Sequence, residues 1–231
     1  MKLSACVIFQ DGDDLKGWRD SLPSDNVEVV ALRTAVNPKL KEPVFQEVGR
    51  IDDHIVLSWE YPDFEEYFDF SYCRNKLDEY ATGDWILHMD SDERLASPED
   101  EFLAYLQELN NSEAVAAYLS IGGCNNDLDP QYTHIRKRYN IPAMRLHRRS
   151  AFLKWQRICH ETLEVDPNGT VVADTDILLY HKGYSQDTEV LMQKAERNGG
   201  LMVREYTRDK SQRNWDYLVN TFSYLKQLSK R

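Results

Sequence analysis

Asp90, Asp92 and Glu93 place three carboxylic acids within four residues, directly after the apolar run "WILHM". Carboxylates one residue apart in a turn can direct oxygen atoms to a single hard cation, and Mg²⁺ held this way completes its shell with water and substrate phosphates. A metal-bridged phosphate ligand is therefore expected at Asp90 and Asp92. An EF-hand is excluded, because a loop beginning at Asp90 would put Arg94 at its fifth position and Leu95 where glycine is required. The same turn also admits an ordinary reading in which Glu93 and Asp92 cap a helix or are merely solvated.

A second concentration of chemistry lies downstream. Residues 131–160 contain eight Lys or Arg and no acid, although the whole chain carries a formal charge of -11. Arg145, Arg148 and Arg149 fall in this segment, and a guanidinium fork suits phosphate. Strand alternation allows only some of them onto one face. The competing reading is a solvated face that balances acidic neighbours.

These groups need a scaffold. "LSACVIF" and "NVEVVALRT" read as strands flanking a short helix at Leu15, Trp18 and Leu22, and "DHIVLSW" as a further strand. In "FSYCRNKLDEYATGDW", Cys73, Leu77 and Tyr80 share one helical face and Gly83 reads as the stop. The continuous apolar run of "WILHM" marks a central strand covered on both sides. "SPEDEFLAYLQELNN" reads as a helix with Ser97 as N-cap, Pro98 in the first helical position and an apolar stripe of Phe102, Leu103, Leu106 and Leu109. "VAAYLSI", "AMRLHRR" and "DILLYH" add strands, and the proline-free segment from Ser185 reads as two or three amphipathic helices. The expectation is an α/β fold: a mixed, mostly parallel sheet domain over residues 1–184 and a helical extension over 185–231 packed on it. In open α/β sheets ligands bind at the carboxyl ends of the strands, which is where Asp90 to Glu93 fall.

The order of several motifs carries a resemblance. "DFSYCRNKLDEYATGDWILHMDSDERL", then "RLHRRSAFLKWQRICHETLEV", then "LLYHKGY" and "KAERN", are similar to segments of family 2 inverting glycosyltransferases, in particular the branch of bacterial lipopolysaccharide-core glucosyltransferases. The resemblance spans roughly residues 69 to 200 and implies the Rossmann-like GT-A fold. It implies a D-x-D metal site at Asp90 and Asp92 with His181 completing it, and an imidazole ligand is compatible with Mn²⁺ as well as Mg²⁺. It implies Glu161 as catalytic base with His160 orienting it, and Asp69, Arg74, Asn75, Asp90, Arg145 and Arg148 around the donor. His181 also admits reading as a satisfied histidine at a strand end, Asn75 and Asp69 as helix capping and packing, and His160 and Glu161 as the start of a surface strand. One departure stands out: Arg33 and Thr34 occupy the place of the acidic motif that follows the second strand in the family.

The expected activity is metal-dependent transfer of a sugar from a nucleotide-sugar donor to an acceptor hydroxyl. The acceptor could be a glycan, a lipid-linked molecule, a protein or modified nucleic acid. Two rivals use the same site, a non-catalytic nucleotide or glycan-binding module and a metal-dependent nucleotidyltransferase. No apolar run approaches a membrane span, and the N-terminal apolar segment is too short for a secretory h-region. Four scattered cysteines without zinc spacing make a reducing cytoplasm the expected location.

Overall fold

The computed structural model describes residues 1–51, 54–123, 141–172, 176–182 and 188–229. The chain opens with β1 (Leu3–Phe9), α1 (Leu15–Asp20), β2 (Val27–Val36), β3 (Val44–Ile51) and β4 (His54–Tyr61). Next come α2 (Phe64–Tyr67), α3 (Phe70–Tyr80), β5 (Trp85–His88), β6 (Glu93–Leu95) and α4 (Glu99–Asn110). β7 (Ala114–Gly123), β8 (Ile141–Arg148), β9 (Lys154–Gln156), β10 (Thr162–Glu164), β11 (Thr170–Val172) and β12 (Leu178–His181) follow. Two helices, α5 (Thr188–Arg208) and α6 (Gln212–Leu228), end the described chain. Part of the basic segment (131–140), Cys124 and the expected boundary at 184/185 lie outside the described residues.

The main sheet has the order β3-β4-β2-β1-β5-β8-β7-β12-β6, with β11 added beside β7. The β1/β2, β1/β5, β2/β4, β7/β12 and β7/β11 pairs are parallel, and β3/β4, β5/β8, β7/β8 and β6/β12 are antiparallel. β9 and β10 form a separate antiparallel ribbon. The expected mixed sheet flanked by helices is thus observed, and β5 lies at its centre with every residue buried.

Alternation along the strands builds two cores. Trp85 and Leu87 of β5 pack with Trp18 of α1 and with Phe102 and Leu106 of α4 on one face. Ile86 packs on the other face with Cys73 and Leu77 of α3, and with Leu201, Met202 and Leu218 from the last two helices. The C-terminal helices therefore share a core with the sheet. Among the described residues no helix is long and apolar enough to cross a membrane.

Two local expectations are corrected. α3 ends at Ala81, whose N–H reaches the Leu77 carbonyl, and Gly83 lies beyond it. Gly83 serves close approach instead, since a Cβ there would stand 2.6 Å from the Ser4 backbone nitrogen. Gly83→Ala is expected to lower stability by about 1–3 kcal/mol, the usual cost of forcing extra atoms into packed surroundings, read as a lower urea midpoint at unchanged slope. Ser97 does not cap α4. Pro98 holds the N-cap position without a side-chain bond, and Ser97 Oγ accepts the N–H of Leu178 at 2.9 Å, tying the helix start to β12. Leu103 turns outward, while Phe102, Leu106 and Leu109 form the buried stripe.

Candidate active site

The turn after β5 is held from beneath. Glu93, for which capping or solvation was the ordinary alternative, is wholly buried. Its Oε2 accepts the N–H of Asp90 at 2.9 Å, and its Oε1 meets Arg145 Nη2 at 2.6 Å. The same Arg145 nitrogen donates to Asp90 Oδ2 at 2.9 Å. Arg94 fastens the outer side of the turn, donating to the carbonyls of Ser91 and Glu93 and to Asp14 at the start of α1. Buried ion pairs of this kind contribute geometry more than net stability, because desolvation offsets their attraction.

The surroundings move the pKa values of the two carboxylates in opposite directions. Burial raises the pKa of Asp90, but the charges of Arg145 and Arg74 prevail and hold it well below the usual carboxylate range. Glu93 is pushed up to about 7 by burial, and the Asp90 charge adds to this against the pull of Arg145.

Asp92 and His181 complete a cluster. One donor atom each from Asp90, Asp92 and His181 lies within 4.8 Å of the others, and all three residues are half-buried. His181 reaches this place because β12 pairs antiparallel with β6, which sets His181 opposite Glu93. Its Nε2 is 3.5 Å from Asp92 Oδ1. Two carboxylates and an imidazole at a half-open position form a donor set that suits Mn²⁺, and Mg²⁺ with water completing its shell. Lys194 of α5 extends its ammonium to Asp92 Oδ2 at 3.0 Å, so a cation already neutralises that oxygen.

Glu161 joins this cluster through Arg74. Arg74 is almost fully buried on α3. Its Nη2 lies 2.9 Å from Asp90 Oδ1 and 2.6 Å from Glu161 Oε1, while its Nε donates to the same Glu161 oxygen at 2.6 Å. One guanidinium nitrogen thus separates the acid at the end of β5 from the acid before β10. The Trp155 ring lies 5.0 Å from the Arg74 guanidinium carbon and limits its movement.

The loop bearing Glu161 is clamped by the last two helices. Arg157 and His160 have positive φ values of 81° and 53°, a conformation that needs external support in non-glycine residues. Glu205 of α5 accepts the N–H of Ile158, and Arg157 donates to the buried Asn214 of α6 at 2.6 Å. The ring of Tyr217 stacks on His160 with centroids 4.8 Å apart and lies under the Arg157 guanidinium.

Four expected site residues are placed differently. His160 stacks on Tyr217 and makes no hydrogen bond to Glu161, whose orientation comes from Arg74. Asn75 uses its amide on the backbone of Trp155, donating to its carbonyl and accepting its N–H, both at 2.9 Å, so it ties α3 to β9. Asp69 is the N-cap of α3, accepting from Tyr72 N–H at 3.0 Å. Arg148 lies at the opposite end of β5, because the antiparallel register pairs it with Trp85. There it donates to the carbonyls of Ala114 and Leu109. Arg149 shares that end, donating to the Gly83 carbonyl. Arg33, in place of the missing acid, forms a fork with Asp11 at the carboxyl end of β1.

Two contributors had no role assigned from sequence. Lys194 sits inside "KAERN", so the motif was visible, but its reach to Asp92 required the packing of α5. Glu93 follows the apolar run closely enough that continued burial was a readable signal.

No protein-family model matches the chain. Over 204 residues, 84% of this chain, it is 25% identical to the SPbeta prophage-derived glycosyltransferase SunS of Bacillus subtilis strain 168, and equally to glycosyltransferase SunS of Bacillus phage SPbeta. The likeness is to glycosyltransferases. The chain spans 42% of the length of these curated relatives. Among solved structures, S. aureus TarS 1-349 in complex with UDP-GlcNAc matches with a TM-score of 0.49 at 11% identity, covering 99% of this chain and 81% of that one. TarS 1-349 in complex with UDP gives a TM-score of 0.47 at 11% identity, covering 99% and 70%.

Proposed function

We propose that this protein is a metal-dependent inverting glycosyltransferase of the family 2 type that moves a sugar from a nucleotide-sugar donor to an acceptor hydroxyl. The observation that carries the reading is the shared nitrogen of Arg74, which sets a candidate base, Glu161, against the D-x-D acid Asp90. The sequence likeness to SunS supports the same class.

Asp90, Asp92 and His181 would hold the divalent cation, which when bound supplies positive charge to the departing diphosphate. Lys194 adds a second cationic group on the same side, placed to meet phosphate oxygens. Glu161 removes the proton of the attacking hydroxyl, with Arg74 holding its carboxylate in one orientation. Single displacement at the anomeric carbon requires no carboxylate nucleophile, and Glu161 then acts once per turnover.

The Arg33–Asp11 fork favours one other reading, a binding module that keeps the scaffold, because the nucleotide-contacting acid expected there is replaced. Turnover separates the two. A transferase releases sugar and nucleoside diphosphate slowly from its donor when cation is present, and a module binds without release.

Asp92→Ala is expected to leave the fold intact and to abolish the gain in nucleoside diphosphate affinity on adding Mn²⁺. Calorimetry with and without Mn²⁺ measures this. Unchanged metal dependence in the variant would remove the proposed metal site.

A further inference from the structure

A second cluster of metal-ligating side chains lies in the core near the end of β5, and the proposed transfer chemistry does not use it. Cys6 of β1 and His88 of β5 are register partners in a parallel pair, so their side chains leave the same face of the sheet. Asp78 of α3 lies over them. A donor atom from each of Cys6, Asp78 and His88 lies within 4.8 Å of the others. From β8, His147 brings its Nε2 to 3.4 Å from Asp78 Oδ2. Cys6 and His88 are fully buried, and His147 is 2% exposed. The two imidazoles lie nearly parallel with centroids 5.8 Å apart, and the edge-on Trp155 ring closes the group from the β9 side.

The hydrogen bonding of this group is incomplete. Asp78 Oδ1 is matched with His88 Nε2 at 2.6 Å. Asp78 Oδ2, His147 Nε2, and the Nδ1 atoms of both histidines are buried and make no hydrogen bond among the described residues. Buried polar atoms are nearly always satisfied, so such a concentration in one place calls for a partner.

We propose that Cys6, Asp78 and His88 form a buried site for a borderline-soft divalent metal, with zinc as the best match and with His147 beside Asp78 outside the ligand set. A thiolate, a carboxylate and a neutral imidazole balance a dication, so the occupied site carries no net charge into the core. A sulfur ligand selects against Mg²⁺ and Ca²⁺ and separates this site from the oxygen-rich one at Asp90 and Asp92. Binding releases the Cys6 thiol proton to solvent, while the proton on the ligating nitrogen of His88 moves to its other ring nitrogen, so the imidazole stays neutral. The metal pins β1, α3 and β5 to one point near Arg74 and Asp90, a structural role independent of the transferase reading.

The test uses the full chain, stripped with a chelator and titrated with Co²⁺. Wild type is expected to develop a thiolate-to-cobalt charge-transfer band whose amplitude corresponds to one equivalent, apart from Co²⁺ taken up at Asp90 and Asp92. Asp92→Ala should keep that band, because the hard site contains no sulfur. Cys6→Ser should lose it, and His88→Gln should weaken the Co²⁺ affinity read from the band at least tenfold. Zinc added to stripped Asp92→Ala should raise the melting temperature in a concentration-dependent way. Absence of the band in wild type overturns the proposal and needs no variant to fold. A band that persists in Cys6→Ser overturns it as well, since the sulfur would then belong to another cysteine.

Discussion

Glu161→Gln is expected to lower kcat by about 10² to 10⁴-fold, the usual effect of removing a positioned base, while donor affinity stays nearly unchanged. The amide preserves the shape of the side chain, and its oxygen can still accept from Arg74, so the loop before β10 should keep its conformation. A base acts on the attacking hydroxyl and contributes little to donor binding, which is why the effect should fall on kcat. Calorimetry with the donor and a transfer or donor-hydrolysis assay measure the two quantities separately. Wild-type turnover in Glu161→Gln would exclude this residue as base and move attention to Glu164 or Asp166. Equal losses in affinity and rate would make it a binding or structural residue.

Glu93→Ala is expected to cost about 3–5 kcal/mol of stability, the range for breaking a buried ion pair from one side. The loss has two sources. Arg145 keeps a buried positive charge with only Asp90 to meet it, and the Asp90 N–H loses its acceptor. Glu93→Gln keeps a side-chain oxygen for that N–H and should cost less. Urea denaturation gives the order, wild type above Gln above Ala. An Ala variant as stable as wild type would mean that the turn is not held from beneath by Glu93.

Much of the scaffold was legible because its signals are local. The apolar run before Asp90 specified a strand buried on both faces, and β5 is that strand. The strand ending at His181 and the amphipathic C-terminal pair were readable from periodicity alone. The short strands β6, β9, β10 and β11 were not, since three residues carry no period and form only where a partner edge is already in place.

Parity already separated two of the arginines. Arg145 and Arg148 are three residues apart in one strand and so face opposite sides of the sheet, which no single ligand on one face can reconcile. Which of them meets the acids was decided by the β5/β8 register, which sets Arg148 beside Trp85 and leaves Arg145 toward Asp90.

What the sequence determined by itself was the inventory and its rough placement: acids at the carboxyl end of a buried strand, a histidine at the end of another, and a glutamate after a basic segment. Tertiary structure decided the pairings. Arg74 meets Glu161 across 87 residues of sequence, Lys194 meets Asp92 across 102, and Asp78 meets His88 only because α3 lies over β5. Such contacts depend on helix orientation and strand register, which arise from burial of apolar area across the whole sheet, and no local spacing encodes them.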